Sequence, residues 1–294
     1  MADSFDFDLA FSRNIGWITR KELAVLRTKR VAIAGMGGVG GIHLLTLTRL
    51  GIGRFTISDP DTFEMVNFNR QAGAMMSTLD QPKAETMRRL ATDINPELDI
   101  RIHPEITREN APTFLTDADL YLDGMDLFGF EAREALFAAC HKLSIPATTA
   151  GPLGMSAALM NFLPGGMSFE KYFGWENQSE EEKTLRFLLG LSPARLQFSY
   201  LVDPSAVNLS ERRGPSTPMA CQLCAGMAAT EALKILLGRG PVLSAPWGLQ
   251  FDAYRNRLVK TWRPWGNRNP IQKISLAIAR RRLEKMKRES LAHP

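Results

Sequence analysis

Gly35-Met36-Gly37-Gly38-Val39-Gly40 follows a short β-branched run and opens a helix-forming one. Glycines let the backbone approach phosphate closely, and the free N–H groups and dipole of a helix start favour negative charge. Gly35, Gly37, Gly38 and Gly40 are therefore candidate phosphate contacts. Asp59 lies 19 residues beyond Gly40, at the end of a second strand-like run, about the spacing of an acid that binds a ribose hydroxyl. These residues alone leave NAD, FAD and ATP open. The stretch VNFNRQ (Val66–Gln71) then places Asn67, Asn69 and Arg70 just past that acid, Lys83 stands 13 residues after Arg70, and Asp126 lies in the turn DGMD. Arg and Lys neutralise phosphates and a leaving pyrophosphate, and Arg binds two oxygens at once. A carboxylate at the carboxyl end of a parallel strand faces the ligand crevice and could hold Mg²⁺. The set suits phosphoryl or nucleotidyl transfer, in which positioning and electrostatics supply most of the catalysis. Hydride transfer has no use for a metal carboxylate beside the phosphates. Each residue alone has an ordinary structural reading: a tight turn for the glycines, a solvated helix position for Lys83, a turn former for Asp126, and loop amides for Asn67 and Asn69.

The elements that must position these groups alternate. RVAIA, RFTISD, LDIRIH, LYLD and IPATTA read as strands; HLLTLTRLG, QPKAETMRRLATDIN and FEAREALFAACHKL read as helices between them, with TRENAPTFLTD as a short helix. This spacing predicts crossover connections, hence an α/β, Rossmann-like, doubly wound, mostly parallel sheet. MSAALMNFLP continues as a longer strand, and WGLQFDAY with NRLVKTW predicts a hairpin, an added antiparallel C-terminal part. The expected segments are an arm and helix over 1–29 (Thr19 and Glu22 at capping-box spacing), a nucleotide-binding domain over 30–163, an irregular crossing segment or lid over 164–220, a helix and strands completing the domain over 221–269, and a basic helix over 270–294.

With 45% hydrophobic and 23% charged residues among 294, the composition is that of an ordinary globular protein. No uninterrupted apolar run approaches bilayer-spanning length, the acidic N-terminus does not read as a signal peptide, and three cysteines make no disulfide framework; a cytoplasmic setting is expected. Between Lys273 and Glu289 there are seven basic and two acidic residues, an excess equal to the net charge of +5 for the whole chain.

GMGGVG, ISDPDTFEMVNFNRQ, QPKAETM, INPEL and YLDGMD occur here in the order in which the ThiF/MoeB/HesA superfamily carries its motifs, so residues of about 10–165 resemble these bacterial relatives of ubiquitin-activating enzymes. The resemblance implies an ATP-dependent adenylyltransferase acting on a carboxylate, commonly the C-terminal glycine of a small ubiquitin-like or sulfur-carrier protein. It implies that Gly37, Gly38 and Gly40 line the phosphates, Asp59 holds the ribose, Asn67, Arg70 and Lys83 contact phosphates, and Asp126 holds Mg²⁺. Arg13 matches the arginine that reaches into the neighbouring subunit's site, which implies a homodimer. Leu127 departs from the family, where asparagine is common. Phe68 is expected to anchor its loop in the core, and Asn69 and Gln71 to shape it.

Cys221 and Cys224 form a single CxxC, leaving three readings: a reactive helix-start thiolate, half of a zinc site shared across a dimer, or buried packing. No cysteine falls in 164–220, where ubiquitin-activating relatives often carry theirs. The basic tail reads as an amphipathic helix with a solvated face, or as an arm for an acidic carrier, a membrane surface or RNA. Trp262 and Trp265 are expected to pack a hinge before it. Two other functions stay open beside adenylation of a carrier: a relative of the tRNA-modifying dehydratases, which the basic tail favours, and a non-catalytic nucleotide-binding scaffold.

Overall fold

Strand β1 (Arg30–Ala34) is buried along its whole length, as a central parallel strand covered on both faces must be. It lies between β2 (Arg54–Ser58) and β4 (Leu120–Asp123) in a computed structural model that describes residues 5–207 and 214–292, with side chains described to Glu284. β3 (Asp99–Ile102) and β5 (Ala147–Leu153) flank these, giving the parallel order β3-β2-β1-β4-β5. The chain reverses its direction of progress between β1 and β4, and such a switch point opens a ligand crevice at the carboxyl ends of the strands. β6 (Ser156–Phe162), β7 (Trp247–Asp252) and β8 (Arg257–Trp262) extend the sheet antiparallel to eight strands, with β7 and β8 forming the expected hairpin. The α/β, mostly parallel architecture with an antiparallel C-terminal part is thus the fold adopted.

Alternation along the strands divides the core into two layers. Val31, Ile33, Leu120 and Leu122 face α2 (Arg20–Thr28), α3 (Gly40–Leu50) and α4 (Lys83–Ile94), together with Phe7 of the short α1 (Phe7–Ala10). Ala32, Ala34 and Tyr121 face α5 (Ala111–Phe114) and α6 (Phe130–Leu143). Thr19 and Glu22 make both bonds of the capping box that starts α2. α3 ends at Gly51, whose φ of 97° is the left-handed conformation of a helix-stopping glycine.

Residues 164–220 are more regular than their composition suggests, although 208–213 lie outside the described residues. They contain α7 (Phe169–Phe173) and α8 (Glu180–Leu191), capped by Ser168 and Ser179. The acidic knot Glu180–Glu182 is the first turn of α8, where the helix dipole favours anions. Phe169, Phe173, Trp175 and Phe187 pack with Phe137 and Phe162 in one aromatic cluster; Phe137 and Phe169 stack at 4.3 Å. α9 (Pro218–Leu237) is long and apolar enough by composition to cross a membrane, but half of it is buried, and it packs on β5, β6 and α3 as a core helix. α10 (Pro270–Ala292) docks on α8 through Leu276, and Arg280 pairs with Glu182. Trp262 and Trp265 pack no hinge: both are exposed, and Trp262 instead lies over Trp247 with ring centroids 6.2 Å apart.

His43, on α3, is fully buried, and its Nδ1 has no partner among the described residues. Burial lowers its pKa from 6.5 to about 4. Between those values the unfolded chain binds a proton that the folded chain excludes, so stability falls as pH drops through that window, by up to roughly 3 kcal/mol. His43→Leu should flatten this acid limb when urea unfolding is compared at pH 7 and 4.5.

Candidate active site

The loop between β1 and α3 is locked by main-chain contacts. A Cβ on Gly40 would lie 1.8 Å from the Gly35 carbonyl oxygen, and one on Gly35 would lie 2.5 Å from the carbonyl oxygen of Gly124, just past β4. Only glycine permits this approach, and it sets the start of α3 against the turn that carries Asp126. The four predicted glycines therefore form the tight strand-to-helix turn expected of a phosphate cradle.

Asp59, at the carboxyl end of β2, faces this loop. The Met36 N–H donates to its Oδ2 at 2.6 Å and the Asp61 N–H to its Oδ1 at 2.9 Å. Burial pushes its carboxyl up from the ordinary value, opposed by those two N–H bonds and by Lys83. Lys83 is the first residue of α4 and is buried, unlike an ordinary first-turn lysine; its Nζ donates to Asp61 Oδ2 at 2.9 Å. Its backbone N–H also donates to the Asp61 carbonyl, so Asp61 ties the end of β2 to the start of α4. Asp61 is absent from the sequence reading, although its place two residues past Asp59 in SDPD was the available signal.

The VNFNRQ stretch forms a turn in which Asn67 and Gln71 are buried. Asn67 Oδ1 accepts the Glu64 N–H at 3.0 Å, and its carbonyl accepts the Arg70 and Gln71 N–H groups, so Asn67 holds the turn that presents Arg70. Arg70 Nη1 donates to the Val66 carbonyl and to Asn69 Oδ1, while Asn69 Nδ2 donates to the Ser216 carbonyl. The Arg70 stem runs beside Gly38, 3.4 Å from where a Cβ would stand, and the Gln71 amide flanks Gly37. Phe68 does not anchor the loop: it is exposed with Met65 and Val66, because the short turn spends its inward positions on Asn67 and Gln71.

Asp126 is exposed, and its Oδ1 accepts the Phe128 N–H at 2.9 Å. Beneath it lies a buried pair that sequence reasoning missed. Arg133 Nε donates to Asp123 Oδ2 at 2.8 Å, Thr149 Oγ1 donates to the same oxygen, and Arg133 Nη2 donates to the Met125 and Asp126 carbonyls. Both side chains of the pair are 1% exposed. Removing one partner of such a pair costs roughly 3–5 kcal/mol. The available signal was an arginine inside the apolar helix FEAREALFAAC. Leu127 joins the apolar packing near this turn.

Arg13 does not join the group. It is exposed in the turn after α1, and the adjacent Asn14 donates to the Arg49 carbonyl near the C-terminal end of α3, roughly 15 Å along that helix from the glycine loop. Cys221 and Cys224 lie inside α9, because the helix starts earlier than its apolar repeat, and both are buried. Burial pushes both thiols up; for Cys221 the Ser216 hydroxyl and Arg70 oppose this incompletely. A helix-start thiolate of lowered pKa is therefore not what the fold makes. Among the described residues no cluster of three or more His, Cys, Asp or Glu side chains could hold a metal. Mg²⁺ at a nucleotide site takes one or two carboxylates, with phosphates and water supplying the other ligands, which a lone Asp126 fits.

The ThiF family profile matches residues 11–273. The tRNA threonylcarbamoyladenosine dehydratase of Bacillus subtilis is 36% identical over 138 residues, which cover 46% of this chain and 54% of that protein. The sulfur carrier protein ThiS adenylyltransferase of Escherichia coli is 28% identical over 162 residues, which cover 55% of this chain and 64% of that protein. The chain thus spans about half to two thirds of the length of these curated relatives. The crystal structure of E. coli MccB with AMPCPP and MccA superposes with a TM-score of 0.65 at 18% identity, covering 86% of this chain and 71% of that one, a likeness of fold. The NxxRQ turn and the DGMD turn both lie against the glycine loop, the profile runs across nearly the whole sequence, and the chain belongs to the ThiF family.

Proposed function

We propose that this protein uses ATP to adenylate a substrate carboxylate, releasing pyrophosphate. The observation that carries this reading is that Asp59, the Arg70 stem and the turn leading to Asp126 lie against the Gly35–Gly40 loop, with the buried Lys83 paired to Asp61 two residues past Asp59. The carboxylate oxygen attacks the α-phosphorus of ATP, the bond to the bridging oxygen breaks, and the electron pair leaves with pyrophosphate. An ionised nucleophile needs no general base. Asp59 binds the ribose, the loop N–H groups and α3 start bind phosphate, and Arg70 and Lys83 offset the charge that develops on the leaving group. Asn67 acts through the turn that presents Arg70. Asp126 would hold Mg²⁺, which would offset phosphate charge when bound. Arg13, placed away from its own loop, is assigned to the site of a second subunit, so the active form is a homodimer.

The substrate class proposed is the C-terminus of a small ubiquitin-like or sulfur-carrier protein, supported by the likeness to the ThiS adenylyltransferase. A modified tRNA is the second reading, favoured by the likeness to the threonylcarbamoyladenosine dehydratase and by the basic α10. ATP–pyrophosphate exchange distinguishes them. Stimulation by a small protein ending in Gly-Gly supports the first, stimulation by tRNA supports the second, and no exchange with either leaves the scaffold reading.

A further inference from the structure

We propose that the outward face of α10 is a docking surface for an anionic lipid membrane. One side of the helix is already occupied: Gln272 and Leu276 are buried, Ala279 and Leu283 pack toward α8, and Arg280 pairs with Glu182. The opposite side carries Ile271, Ile274 and Ile278, exposed at 61%, 62% and 45%. Their spacing of three and four residues puts them on one stripe. Arg281 and Arg282, three and four residues past Ile278 and also exposed, continue that stripe. Trp265, exposed on the turn that leads into the helix, adds an aromatic residue of the kind enriched at membrane interfaces.

Isoleucine is a poorer helix former than alanine, lysine or glutamate, so three isoleucines exposed on the outward face are not explained by helix propensity. Cations alone would suit nucleic acid, whose affinity comes largely from phosphate contacts and which has little use for an aliphatic stripe. A groove that takes up a partner helix would suit the apolar stripe, but the docked half of α10 leaves only a half-cylinder to present. A flat surface with acidic headgroups over an apolar interior matches both features at once. The concentration of the net charge of the chain between Lys273 and Glu289 gives the matching electrostatic attraction. The proposal is independent of the adenylation reading.

Co-sedimentation of the full chain with phosphatidylglycerol-containing vesicles and with pure phosphatidylcholine vesicles at 0.1 M salt tests it. Binding to the anionic vesicles alone is expected. Arg281→Ala/Arg282→Ala should lower that partitioning on the order of tenfold, with a smaller effect at 0.5 M salt. Ile274→Glu/Ile278→Glu should lower it on the order of tenfold or more, with the unfolding midpoint unchanged because both positions are exposed. Should that double variant unfold, Ile274→Ser/Ile278→Ser gives the same readout. Equal binding to both vesicle types, or wild-type binding by a folded isoleucine variant, overturns the proposal. So does binding of a single-stranded RNA, but not vesicles, that depends on the arginines and ignores the isoleucines.

Discussion

Lys83→Met should lower substrate-stimulated ATP–pyrophosphate exchange by roughly 100- to 1,000-fold, the usual effect of removing a positioned charge from a water-poor site, while the protein stays folded. The Lys83 side chain is 9% exposed and pairs with Asp61, whose side chain is 67% exposed. Removing the cation therefore leaves a carboxylate that water can reach, not a buried orphan, and methionine refills the space of the lysine stem. A second effect has a definite sign. Lys83 is one of the influences that hold the Asp59 carboxyl down against burial, so its loss raises that carboxyl further. Nucleotide binding through ionised Asp59 should then weaken at a higher pH than in the wild type, and the acid limb of the activity profile should move upward. Asp126→Ala should bring a comparable loss at millimolar Mg²⁺ with little change in unfolding. Its side chain accepts the Phe128 N–H of its own turn, and Arg133 grips the carbonyl of residue 126, which the substitution keeps. Wild-type exchange in both variants would show that neither residue belongs to the reaction.

The fold was legible where one physical signal dominated. RVAIA, LYLD and FEAREALFAACHKL run from end to end as β1, β4 and α6, because buried parallel strands need continuous apolar runs and the helix keeps its period. The site was legible as a set of residue types but not as contacts. Lys83 looks like a solvated first-turn residue until β2 and α4 are packed and Asp61 appears beside it. Asp123 and Arg133 look like a strand end and a helix charge, since a buried ion pair between β4 and α6 leaves no periodic trace. Phe68 misled because hydrophobicity predicts burial only when a position can turn inward, and in this short turn the amides occupy those positions. The 164–220 segment was least legible. There α7 and α8 have only five and twelve residues, and the glycine, proline and serine of the connecting turns dilute their pattern.

Two single-methyl substitutions separate what the glycine loop does for the fold from what it does for a nucleotide. Gly40→Ala should lower stability by about 3 kcal/mol or more, or prevent folding, and ATP binding should go with it. The added carbon meets the Gly35 carbonyl at 1.8 Å and approaches the Gly124 Cα at 3.3 Å. Both are main chain, so relief requires moving β1 or β4, which is more costly than the 1–3 kcal/mol of ordinary overpacking. Gly37→Ala meets nothing closer than the Gln71 amide at 3.5 Å, an ordinary contact, so stability should change by about 0.5 kcal/mol or less. If the loop cradles phosphates, however, a methyl at its second glycine hinders the close backbone approach that the pyrophosphate requires, and ATP affinity should fall by roughly tenfold or more. Gly38→Ala falls between them, because its methyl would press on the Arg70 stem and on Cys221 Sγ at 3.1 Å, and the side chains can yield where main chain cannot. Equilibrium dialysis with labelled ATP, alongside urea unfolding, reads both quantities. A folded Gly37→Ala protein that binds ATP as tightly as the wild type would show that phosphate does not lie against this glycine, whatever Gly40→Ala does.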